Sequence, residues 1–144
     1  MTHRHTALSG LSALPTVEPG TLLYWTGNSG RDEGLTRVLS IANGYYVLRS
    51  LTAVSKFNRA LDDGFGDFET VGYTAEEWTF PTAGLTDVAK SRDIMDSSQL
   101  FLAGYYLWTR AEKSIAAGYY KGLPQDYCNE CLDNHTKAEA MIEA

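Results

Sequence analysis

The chain has no apolar run long enough to cross a bilayer. Its longest candidate, residues 100–108, stops at Thr109 and Arg110, well short of the ~18–20 apolar residues of a membrane helix. Cysteine is scarce: Cys128 and Cys131 are the only two, too close and too few to staple a domain, so a disulfide framework is excluded as the stabilising strategy. Of three histidines, His3 and His5 lie in the first five residues and His135 is the single internal one, and no Ser-His-Asp ordering stands out. A basic excess is also missing. Twelve Lys and Arg against eighteen Asp and Glu give a net charge of −6, which argues against a nucleic-acid polymer or an anionic lipid surface as partner. The opening stretch mimics a secretory signal only faintly, because Ser9, Gly10 and Ser12 interrupt its apolar part. Residues 1–20 therefore read as a flexible leader, and the expected compartment is the cytoplasm.

What is present suits one compact unit. The 144 residues fall near the size mode of single domains, and aromatic residues make up 12% of the chain, nine of them Tyr, a residue suited to surfaces that are apolar at one end and wet at the other. The pattern predicts one α+β domain over 21–144, with a β-rich part to 81 and a helical part from 86. Strands are expected at 21–26, 35–41 and 45–50, the last two joined at Asn43-Gly44, a dipeptide that tolerates the positive φ of a tight hairpin. Thr52 can cap a short inserted helix with Val54, Phe57 and Leu61 on one face and Gly64 at its end. A strand pair, 68–73 and 77–80, then completes an antiparallel sheet of four to five strands. Beyond Pro81 the period turns helical. Ile94, Phe101, Trp108 and Ile115 recur every seven residues and predict a long helix over 93–121, and Pro124 opens a terminal helix as a first-turn residue.

The candidate chemistry is sparse. Cys128, Cys131 and His135 have spacings that could converge on a tetrahedral cation, but a fourth ligand is missing, so the expectation is no metal and no cofactor, with these three as the set if one binds. Asp62, Asp63, Asp67 and Glu69 crowd a glycine turn without the spacing of a calcium loop and read as a solvated acidic turn. Trp25, Arg31, Arg37, Tyr45 and Arg49 interleave rings and guanidinium groups in the β part, the pairing a nucleotide-like anion would need. Within that set, alternation puts Tyr45 on the side of Arg49, and Tyr46 in phase with Leu48 toward the core. Gly104, Ala111 and Gly118 recur at heptad spacing, a stripe of small residues where another backbone could approach closely, and predict a homo-oligomer. No catalytic set emerges. The expected function is a small acidic, non-enzymatic protein that oligomerises through its C-terminal helices and binds or occludes a protein partner. The alternatives are a binder of a nucleotide-like anion and a zinc-dependent protein.

Overall fold

In the computed structural model, residues 16–28, 31–58, 66–88, 93–94 and 96–144 are described. They form an α+β fold: β1 (Leu22–Trp25), β2 (Gly34–Ala42), β3 (Tyr45–Asn58), β4 (Asp67–Pro81), β5 (Leu100–Leu102), α1 (Ala103–Ala116) and α2 (Pro124–Glu143). The five strands make one antiparallel sheet in the order β4-β3-β2-β1-β5. The β2–β3 turn is the one the sequence predicts, with φ of 55° at Asn43 and 79° at Gly44, and Pro124 is the first residue of α2. Of the expected leader, residues 1–15 lie outside the described residues. Gly20 is tied down, its N–H donating to Val38 O at 2.7 Å.

Strand alternation divides the sheet into two faces. Tyr24, Arg37, Arg49 and Phe101 share one, by their cross-strand partnerships. On it Tyr106 of α1 stacks against Tyr24 at 4.2 Å and Phe101 at 5.1 Å, and Glu139 and Glu143 of α2 pair with the two arginines. The opposite face carries Trp25, Val38, Leu48 and Trp78, all buried, with Trp25, Trp78 and Phe80 in edge-on ring contacts. Leu85, Val88 and Ile94 from the connection between β4 and β5 join the same core.

Three expectations are corrected. Residues 52–58 are strand, not the short inserted helix: they continue β3, and each of them pairs with a residue of β4. Residues 59–61 of that helix lie outside the described residues. The expected pair 68–73 and 77–80 is one continuous strand, β4. The long helix over 93–121 is shorter and starts later. Leu100, Phe101 and Leu102 are buried as an edge strand paired with β1, the pattern of an apolar run covered on both faces, so Phe101 and Ile94 are not on a helix. Its end is set by Gly118, which at φ 81° takes the left-handed conformation that closes a helix.

Candidate functional site

Among the described residues, a β arm extends from the sheet. β2 pairs with β3 only from Tyr45 to Ser50, whereas β3 and β4 stay paired as far as Asn58 and Asp67. The eight β3 residues 51–58 therefore run beyond the last β2–β3 pair, with β4 as their one bonded strand among the described residues, a ribbon ~26 Å long at ~3.3 Å per residue. A slip in the ladder between Val54 and Ser55 leaves Val71 as an extra residue on β4, and such bulges bend and twist the strand that carries them. Phe57 and Phe68 face each other across the ladder with ring centroids 5.0 Å apart. Phe68 is 73% exposed and Val71 54%, and Phe57, Val54 and Tyr73 are exposed as well. By register, Ala53, Phe57, Phe68 and Tyr73 belong to the face that carries Arg49, and Thr52, Lys56, Glu69 and Thr74 to the other.

The same stretch concentrates charge. Residues 51–77 hold six carboxylates against Lys56 and Arg59, which accounts for four of the net six negative charges of the chain. Among these, Glu76 is bound by Arg31, which also lies 4.7 Å over the Trp78 ring, and Asp67, Glu69 and Glu77 are exposed.

The five residues expected to form a ligand surface are not brought together. Trp25 is buried in the ring cluster on one face. Arg37 and Arg49 lie on the other and Arg31 packs over Trp78. Each arginine already has a carboxylate: Glu76 for Arg31, Glu139 for Arg37 at 2.5 and 2.9 Å, and Glu143 for Arg49 at 3.2 Å. Tyr45 is 48% exposed and Tyr46 5%, as alternation predicts. Arg37 alone of the set lines a cavity of about 540 Å³, bounded by Thr21, Leu22, Leu102, Gly104, Leu132 and Thr136 among others.

The small-residue stripe is not one surface. Gly104 is in the first turn of α1, Ala111 is fully enclosed within the chain, and Gly118 lies past the helix end. Gly104 and Ala111 keep the heptad spacing on α1, and the register fails at Gly118, which falls beyond the helix end at Ala116. Cys128 and His135 are buried and Cys131 half-buried on α2, and no three His, Cys, Asp or Glu side chains converge among the described residues. Burial pushes the Cys128 thiol up to about 11 and raises that of Cys131. It also lowers the affinity of His135 for a proton, against the pull of Glu139. A polar network joins α1 to β1: Tyr24 donates to Glu33 at 2.5 Å, and Arg110 donates to Glu33 at 2.7 Å and to the Tyr106 hydroxyl at 3.2 Å. Burial and the adjacent carboxylate hold the Tyr24 phenol far above its usual range, so it remains a donor.

Sequence reasoning missed the arm because Val54, Phe57 and Leu61 fit a helical face. The signal that could have found it is the pair of runs rich in β-branched and aromatic residues, 51–57 and 68–74. No helix among the described residues is long and apolar enough to span a membrane. No family model, curated protein or solved structure matches the chain.

Proposed function

We propose that this small acidic protein acts without catalysis, by binding and occluding a protein partner through the β3–β4 arm. One observation carries the reading: a ribbon that leaves the sheet with Phe57, Phe68, Val71 and Tyr73 exposed. Two strands alone are marginal in water, and clustered exposed apolar groups rimmed by charge mark contact surfaces. Aromatic anchors are the residues on which interfaces concentrate their energy. Support for a non-catalytic role comes from the groups that chemistry would need. The Cys128 thiol is buried and protonated at neutral pH, and His135 is 7% exposed.

The test is a chain in which Thr52 is joined to Thr74 through an Asn-Gly turn, alongside Phe68→Ser in the full chain. Both should fold. An exposed substitution costs ~0.5 kcal/mol or less, whereas losing an anchoring ring costs a complex ~2 kcal/mol, roughly thirtyfold in affinity. A stoichiometric protein captured from host cells by the wild type should be lost with both variants. Full capture by the arm-shortened chain would overturn the reading.

A further inference from the structure

We propose that the partner contributes an extended, cationic strand that adds to the outer edge of β4. This rests on the protein-binding reading above and specifies the chemistry of the partner. β4 is the last strand of the sheet and runs fifteen residues, Asp67–Pro81, with no strand bonded to its outer side among the described residues. An edge strand presents a row of free N–H and C=O groups, and recognition by strand addition uses such an edge for main-chain bonds and its side-chain pockets for specificity. The opposite edge of the sheet is covered: β5 is three residues long and is bridged by Leu85 at Leu100.

Folded proteins blunt open edges by keeping them short or by placing charges, bulges and prolines on them. β4 is long, and besides the bulge at Val71 and the terminal Pro81 its protection is charge of one sign. Asp67, Glu69 and Glu77 are exposed along it, and Glu76 is already held by Arg31. A second copy of β4 laid against this edge would set carboxylates against carboxylates. Like charges placed opposite are destabilising, and opposite ones contribute. The edge therefore selects against its own kind and for a strand carrying Lys or Arg. The exposed rings of Phe68 and Tyr73, on the same face as Arg49, require apolar side chains on that side of the incoming strand. Asp67 and Glu69 lie on the other face, whereas Glu77 shares the face of Phe68 and Tyr73, so along the outer half of β4 the partner strand alternates apolar and cationic residues.

The probe is a ten-residue peptide of alternating Lys and Val, titrated calorimetrically into the full-length protein and followed by amide hydrogen exchange. Binding should slow exchange in β4 and leave β1 and β2 unchanged. A peptide with a central Pro should bind at least tenfold more weakly, because it loses main-chain bonds. The double variant Asp67→Lys, Glu69→Lys, altered only at exposed positions of one face, should reverse the preference in favour of a Glu/Val peptide. The proposal is overturned if the Lys/Val peptide does not bind, if it protects amides away from β4, if the Pro peptide binds equally well, or if charge reversal leaves the preference unchanged. Any of these results alongside a captured partner that still depends on Phe68 would remove the strand-addition model and leave the binding function standing. A captured partner indifferent to the arm would remove the function itself.

Discussion

His135 places its Nε2 3.5 Å from Glu139, whose carboxylate is also gripped by Arg37, with Arg49 as the further cation acting on the imidazole. Burial and the two arginines oppose a proton on the imidazole more than Glu139 favours one, so its pKa lies below the ordinary 6.5. The folded state then binds fewer protons at this site than the unfolded chain. The stability contribution is fully present above about pH 6.5 and is lost as the pH falls toward the folded value. Glu139, held below its ordinary 4.5 chiefly by the Arg37 hydrogen bond, adds a second loss below that pH. The urea midpoint should therefore drop between pH 7 and pH 5 in the wild type, and the drop should be much smaller in His135→Gln. An equally steep drop in the variant would assign the effect to other groups. The sequence shows part of this scale. Alternation from Arg49 separates Tyr45 from Tyr46 correctly, because strand geometry has a strict period of two. The partnership of Arg37 with Glu139 is invisible beforehand, since it joins residues more than a hundred positions apart through a tertiary contact that no local pattern encodes.

α2 is fastened to the sheet by ion pairs near its C-terminal end: Arg37 to Glu139 with two hydrogen bonds and Arg49 to Glu143 with one. The first pair is partly shielded, with the arginine 30% and the glutamate 15% exposed. Its coupling should fall between the ~0.2–1 kcal/mol of exposed pairs and the 3–5 kcal/mol cost of breaking buried ones, at about 1–2 kcal/mol. A double-mutant cycle of Arg37→Ala and Glu139→Ala, read by urea unfolding at low and high salt, measures it, and additive losses would show that the pair is not coupled. Elements were legible where local chemistry is decisive. The Asn43-Gly44 hairpin and the Pro124 helix start follow from backbone preferences of single residues. β5 was not legible, because Leu100, Phe101 and Leu102 fit a heptad as well as a strand, and only pairing with β1 decides between them. The inserted helix failed for a different reason: Val54 and Phe57, three apart, would share a face of a helix but lie on opposite faces of the strand, and β4 supplies the bonds that override that period.

Across the whole molecule, β1 to β4 are joined in sequence order to their neighbours, while β5 returns from the far side of β4 to close against β1. This asymmetry sets an order of assembly. Pairs near in sequence form with little loop entropy, and joining Leu23 to Leu102 must close a loop of most of the chain. The kinetic nucleus should sit in the β2–β3 hairpin, so that Val38→Ala and Leu48→Ala slow refolding in proportion to their stability loss. Phe101→Leu should leave refolding nearly unchanged and speed unfolding. Stopped-flow chevrons decide, and a slowed folding limb for Phe101→Leu would place the closure in the transition state. With β5 arriving last, the clasp between β1 and β5 governs how long the native state survives, while the hairpin governs how quickly it is reached.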